Sequence, residues 1–263
     1  MSNEFISYEV AQGVATITLR RAEVLNSFHR PMAAELQRAL ASAAADESVR
    51  AVLLTAVGRA FSAGQDLAEA VPPGESELPD VGDIVRDSYN PIVRALRSLP
   101  RPVVCAVNGV AAGAGANIAL ACDFVFAAEN ASFIQAFTKI GLIPDSGGTF
   151  ILPRLVGTAR AMSLMVLGEK LGAAEAHRLG MIHEVVPEST LQDVATAFAQ
   201  RLAAMPTHAI ALTKQAILAT WSNDLDAQLE LEERLQRDAG RSADYLEGVR
   251  AFQQKRAPQF RGK

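Results

Sequence analysis

The sequence predicts an α/β protein, on three observations. A unit of buried strand, glycine-bearing turn and helix recurs around residues 51, 103 and 124, which is the pattern of a layered α/β spiral. From Thr190 onward the strand-like runs give way to an almost wholly helical period. Hydrophobic residues make up 49% of the 263 and charged residues 21%, a balance that supports one large buried core.

In order along the chain, Ile6 to Val10 and Val14 to Leu19 alternate apolar and polar residues around Gln12-Gly13, which predicts a β-hairpin. Pro31 opens a helix whose Met32, Leu36 and Leu40 share one face. Ala51 to Thr55 is a short buried strand leading into Gly58 to Leu67. Ala70 to Asp83 holds three prolines and several acids without a period, and reads as a mobile surface loop. Pro102 to Val107 is a second buried strand, which Asn108 to Asn117 turns into a helix, and Phe124 to Ala127 is strand-like. In the C-terminal part Leu191, Val194, Phe198 and Leu202 share a face, and Leu225, Leu229, Glu232 and Leu235 continue the pattern. That surplus apolar face predicts an oligomer, with residues 1–200 as the core and 201–263 as a helical oligomerisation region.

Several function classes are disfavoured at once. The formal charge is −4 and no run of Lys and Arg supplies a phosphate-tracking stripe, so no nucleic-acid partner is expected. Cys105 and Cys122 lie singly in apolar stretches and read as core residues of a reducing compartment. His29, His177, His183 and His208 have neither metal-ligand nor triad spacing, so no metal is expected. Trp221, Met162 and Met165 read as packing residues. The longest apolar stretch, Gly109 to Ala128, is interrupted by Asn117, Asp123 and three glycines, which makes it a buried passage rather than a membrane span. The first ten residues lack a basic start and an apolar core, so a cytoplasmic protein without an export signal is expected.

The residue that points to chemistry is Asp145, within Gly141-Leu142-Ile143-Pro144-Asp145-Ser146-Gly147-Gly148-Thr149. A carboxylate fixed between a proline and a glycine pair in apolar surroundings is how a base with a raised pKa is built. The same residues also suit a helix N-cap. Gly113-Ala114-Gly115 follows a strand and precedes a helix, but the third glycine of a dinucleotide-binding turn would fall at Ile118. What such a turn still offers is exposed backbone N–H groups for an anion or an oxyanion. Asp145-Ser146-Gly147-Gly148 shares residues with the nucleophile turn of trypsin-like proteases, without the β-barrel chain or the histidine placement those require. The turns at Gly64 and Gly113 each follow a buried strand. Were those strands neighbours, their N–H groups would converge on one carbonyl oxygen and the third turn would bring a carboxylate to the adjacent carbon.

Ala60 to Leu67, Asn108 to Gly115 and Gly141 to Thr149, with Glu247 to Arg256 near the C-terminus, together resemble the crotonase, or enoyl-CoA hydratase/isomerase, superfamily. Tyr89-Asn90-Pro91, Gly141 to Asp145 and Ala239 to Tyr245 are similar to its branch acting on ring-epoxidised phenylacetyl-CoA in bacterial phenylacetate breakdown. The resemblance implies a crotonase-like spiral of ββα units with a C-terminal helical trimerisation region, a homotrimer or dimer of trimers, and an acyl-CoA substrate with no separate cofactor. It assigns the oxyanion hole to the N–H groups of Gln65 and Ala114 and catalysis to Asp145. It also assigns Val24, Leu25, Ala63, Asp66, Leu67, Gly113, Phe137 and Pro144 to the substrate, and Phe252 and Lys255 to the CoA of a neighbouring subunit. Hydratases of the family handle water with two glutamates, for which this chain has Asn117 and Phe137; the aryl dehalogenases pair their Asp with a His and a Trp, which fall here at Asn90 and Phe137. The expectation is therefore an isomerase acting on ring-epoxidised phenylacetyl-CoA, on linear 3-enoyl-CoA, or on both. A hydratase-type or dehalogenase-type enzyme and a catalytically weak acyl-CoA binding protein are the alternatives.

Overall fold

The structure, a computed structural model, describes residues 4–70 and 80–263. Its strands are β1 (Ile6–Ala11), β2 (Val14–Leu19), β3 (Ala51–Ala56), β4 (Ala60–Ser62), β5 (Val103–Val107), β6 (Val110–Ala112), β7 (Phe124–Ala128), β8 (Ser132–Ile134), β9 (Lys170–Gly172) and β10 (Glu184–Val186). The opening hairpin forms as expected. Ala11 pairs with Val14, and Gln12 and Gly13 both take positive φ, 52° and 76°, the backbone twist that closes a two-residue hairpin.

β2, β3, β5, β7 and β10 pair in parallel, so the main sheet runs β1-β2-β3-β5-β7-β10. The three-residue strands form a second sheet, β4-β6-β8-β9. Each pass of the chain thus lays one long strand in the first sheet and one short strand in the second: β3 then β4, β5 then β6, β7 then β8. This is the expected spiral of ββα units. β5 is buried along its whole length and β3 along all but its last residue, as parallel strands covered on both faces must be.

Pro31 sits in the first turn of the helix Arg30–Ala45, where its missing N–H costs nothing, and Met32, Leu36 and Leu40 face the core. The helix Leu191–Ala203 buries Leu191 and Leu202, and Phe198 stacks edge-on against Phe124 and Phe126 at 5.1 and 4.9 Å. The helices Thr207–Ala219, Leu225–Ala239 and Ala243–Gln253 follow, with Ile217, Leu225, Leu229 and Phe252 left exposed.

Two expectations are corrected. The loop reading of Ala70 to Asp83 holds neither end: Ala70 closes the short helix Leu67–Ala70, and Val81–Ile84 is helical. Residues 71–79 lie outside the described residues. Asp80 is an N-cap whose Oδ1 accepts the Gly82 N–H at 2.7 Å, so an acid that reads as loop composition is in fact a helix signal. This helix continues through a π segment, Val85–Tyr89, into Asn90–Ser98. Second, Asn108 to Asn117 does not turn directly into a helix: β6 comes first, because residues 110–112 pair with β4 and β8, and the helix is Ala114–Leu120.

Candidate active site

The parallel pairing of β4 with β6 brings the turns that follow them together. Gly64 has φ +92°, and a Cβ there would lie 2.8 Å from the Ala112 carbonyl oxygen and 3.5 Å from the Ala114 nitrogen. Only glycine permits both that backbone angle and that approach.

The same turn aims an N–H. Phe28 donates its N–H to the Gly64 carbonyl, and its own carbonyl accepts the Asp66 N–H, both at 2.7 Å. In a trans peptide the C=O and N–H point in opposite directions, so the N–H of Gln65 points away from Phe28. The Gly113 carbonyl likewise accepts the Asn117 N–H at 3.2 Å, inside the helix, which turns the Ala114 N–H outward. Both groups belong to residues lining a cavity of about 170 Å3, and among the described residues neither donates to another group. Two free N–H groups at adjoining turns can bind one oxygen that is gaining negative charge.

Asp145 lines the same cavity. The helix-cap alternative is corrected: the helix Gly148–Val156 has Gly147 at its cap, at φ 75°, with no side-chain cap bond. Instead the Asp145 carboxylate accepts the Ser146 hydroxyl at 2.7 Å. Burial pushes the Asp145 carboxyl above its ordinary value, and the Ser146 hydrogen bond partly opposes this. The turn is propped from below. Asn117, fully buried, donates from Nδ2 to the Asp145 carbonyl at 2.9 Å, and Gln135 Nε2 donates to Asn117 Oδ1 at 2.8 Å. A Cβ at Gly148 would lie 2.3 Å from Asn117 Nδ2, so the glycine is what lets this amide reach the Asp145 backbone carbonyl.

Of the site residues expected from sequence, Ala63, Gln65, Leu67, Gly113, Ala114, Phe137 and Asp145 all line this cavity. Val24 and Leu25 do not line it, though Leu25 is tied to a lining residue, its carbonyl accepting the Ala63 N–H at 2.9 Å. Asp66 does not line the wall; the Arg21 guanidinium holds its carboxylate at 3.0 Å. Pro144 stands beside Asp145 without lining the wall, and neither Phe252, which is 86% exposed, nor Lys255 reaches it. The apolar wall also includes Ile84, Val85, Tyr89 and Leu142, none of which sequence reasoning named individually as a site residue. The buried apolar positions of that helix are Ile84, Tyr89, Ile92 and Leu96. The five-residue step from 84 to 89 breaks the 3.6 period, and it is the π segment that makes it.

The two-sheet spiral gathers the paired N–H turns and the partly buried Asp145 carboxylate around one cavity, and residues 9–263 match the enoyl-CoA hydratase/isomerase family. The chain belongs to that family. It is 54% identical over 260 residues to the 1,2-epoxyphenylacetyl-CoA isomerase of Escherichia coli strain K12, covering 99% of each chain. It is 49% identical over 263 residues to a protein of Rhodobacter capsulatus named as a probable enoyl-CoA hydratase, covering 100% of each. The crystal structure of enoyl-CoA hydratase from Bacillus anthracis superimposes with a TM-score of 0.90 at 36% identity, covering 99% of this chain and 100% of that one. No helix among the described residues is long and apolar enough to cross a membrane.

Proposed function

We propose that this chain is an acyl-CoA isomerase in which Asp145 carries one proton between two carbons of the acyl group. The thioester oxygen sits on the Gln65 and Ala114 N–H groups, which stabilise it more as charge builds up in the enolate than in the ground state. Asp145 removes a proton from the carbon beside the thioester and returns it two carbons further along the conjugated system. Burial, which raises the carboxyl pKa, makes it a better base once ionised, and the Phe137 side of the cavity keeps water from the enolate. The same transfer moves the double bond of a linear 3-enoyl-CoA and completes the opening of a ring epoxide toward an oxepin ylidene thioester. Ring-1,2-epoxyphenylacetyl-CoA, an intermediate of phenylacetate breakdown, is therefore proposed as a substrate, with linear 3-enoyl-CoA beside it. Coenzyme A is part of the substrate and no further cofactor takes part.

One observation carries this reading. Asp145 is the sole acidic side chain lining the cavity among the described residues, so the site has one proton carrier and no second carboxylate to activate water. The protein is further proposed to act as a cytoplasmic homotrimer or dimer of trimers, with residues 201–263 as the oligomerisation region. Phe252 and Lys255, both exposed on or just after the last helix, would reach the CoA of a neighbouring subunit. The test is to incubate the pure protein separately with 3-enoyl-CoA, ring-epoxidised phenylacetyl-CoA and crotonyl-CoA and to identify the products by mass and absorbance. Isomerisation of one of the first two with little hydration of the third is expected; robust conversion of crotonyl-CoA to the 3-hydroxyacyl thioester would overturn the assignment.

A further inference from the structure

The peptide carrying the Gln65 N–H is pinned at its carbonyl by Phe28, which leaves the Gln65 side chain to restrain the tilt of that N–H. This side chain is held at three points. Its Nε2 donates to the Asp66 carbonyl and to Glu69 Oε2, both at 3.1 Å. Both partners are acceptors, so the amide oxygen must face the other way, where the Tyr89 hydroxyl donates to Gln65 Oε1. The Tyr89 proton is thereby committed to Gln65. Burial and the nearby Asp145 charge raise the Tyr89 pKa, which keeps the hydroxyl a neutral donor; what it has left to offer the cavity is acceptor capacity, not an acid.

Tyr89 is itself fixed. Its ring is 2% exposed and meets the Phe28 ring edge-on, with centroids 6.1 Å apart and planes at 78°. The π segment that carries it is tied to the helix Arg30–Ala45 by Gln37, whose Nε2 donates to the carbonyls of Asp87 and Ser88 at 2.9 and 3.0 Å. Phe28, Gln65 and Tyr89 therefore close a triangle: Phe28 holds the backbone on either side of Gln65, Tyr89 holds the end of its side chain, and the two rings hold each other. We propose that Tyr89 is a positioning residue for the oxyanion hole, acting through the Gln65 side chain to keep the Gln65 N–H on the thioester oxygen.

This inference rests on the reading of the Gln65 and Ala114 N–H groups as that hole, and its test does not need the isomerase reaction. Acetoacetyl-CoA, whose enolate absorbs in the near ultraviolet, reports how strongly bound thioester is stabilised as an enolate, without any proton return to a distant carbon. Tyr89→Phe removes the hydroxyl and keeps the ring against Phe28. The expected result is a lower enolate fraction at saturation with the dissociation constant within about twofold. In turnover, kcat should fall about tenfold with KM little changed, a part of the ~10²–10³ that outright loss of an oxyanion donor costs. Gln65→Ala, which keeps the backbone N–H, should give a similar loss, and the double variant should be no worse than either single one, because both break one linkage. A Tyr89→Phe protein with wild-type enolate fraction and kcat would overturn the proposal, as would losses that multiply in the double variant or a change confined to KM. If the unmutated protein isomerises neither 3-enoyl-CoA nor ring-epoxidised phenylacetyl-CoA, the proposed function fails, while the enolate fractions still decide the role of Tyr89.

Discussion

Replacing Gly64 by alanine tests how closely the two turns are packed. At φ +92° a non-glycine residue carries about 1–3 kcal/mol of backbone strain. The added methyl would also stand 2.8 Å from the Ala112 carbonyl oxygen, a backbone atom of the β6 turn that cannot swing aside, and such overpacking costs about 1–3 kcal/mol more. Gly180 supplies the matched control, because it has φ +73° but no atom within 4 Å of an added Cβ; alanine there carries the strain without the clash. At about 2–4 °C per kcal/mol for a chain of this size, Gly64→Ala should melt about 2–12 °C below Gly180→Ala. The clash also forces apart the Gln65 and Ala114 N–H groups, so turnover should fall toward the ~10²–10³ loss of an oxyanion donor, whereas Gly180→Ala should keep wild-type turnover. Calorimetry and steady-state kinetics on the two purified variants read both effects. Equal melting temperatures and equal turnover would refute the packing of the two turns.

The raised carboxyl of Asp145 has a stability consequence of definite sign. Because burial lifts its folded-state pKa above the unfolded value of about 3.9, the folded state retains a proton that the unfolded state has lost. The stabilisation is complete below the unfolded pKa and is lost as pH rises through the folded one. Asp145→Asn, neutral at every pH, should therefore gain melting temperature over the wild type at pH 8 relative to their difference at pH 3.5; a pH-independent difference in a melting series would contradict the burial argument. Lys255→Ala should weaken CoA binding and leave the oligomer intact, since an exposed cation at φ 52° just past the last helix is proposed to act on a neighbour's ligand; calorimetric titration with light scattering checks both halves, and a monomeric wild type would rule the role out.

Much of the fold is legible where the chain has length enough to show a period. The Gln12-Gly13 hairpin, the helix after Pro31 and the buried β3 and β5 all carry their pattern in five or more residues. The second sheet does not, because β4, β6, β8 and β9 are three residues each, shorter than any period, and β6 is hidden inside a glycine-rich run that reads as a helix start. The π segment is illegible for a related reason: its five-residue step between Ile84 and Tyr89 looks like a loss of pattern. In the site, Asp145 and the glycines of the two turns announce themselves by local chemistry. The contact of Tyr89 with Gln65 and the support of Asp145 by Asn117 join residues 24 and 28 positions apart and depend on the spiral to bring them together. The pairing of the Asp66 carboxylate with Arg21, 45 positions earlier, is illegible in the sequence for the same reason.

The measurement closest to the central claim is the turnover of Asp145→Asn on 3-enoyl-CoA deuterated at the carbon beside the thioester. Asparagine keeps the size of the side chain and can still accept the Ser146 hydroxyl, but it cannot act as a carboxylate base. With a folded protein and unchanged CoA affinity, turnover should fall by ~10²–10⁴, the usual worth of a positioned general base. The wild type should return part of the deuterium to the carbon two positions along, because one carboxylate both takes and gives the proton. Wild-type turnover in the Asn variant, or complete washout of the label by the wild type, would contradict a single-carboxylate shuttle at Asp145.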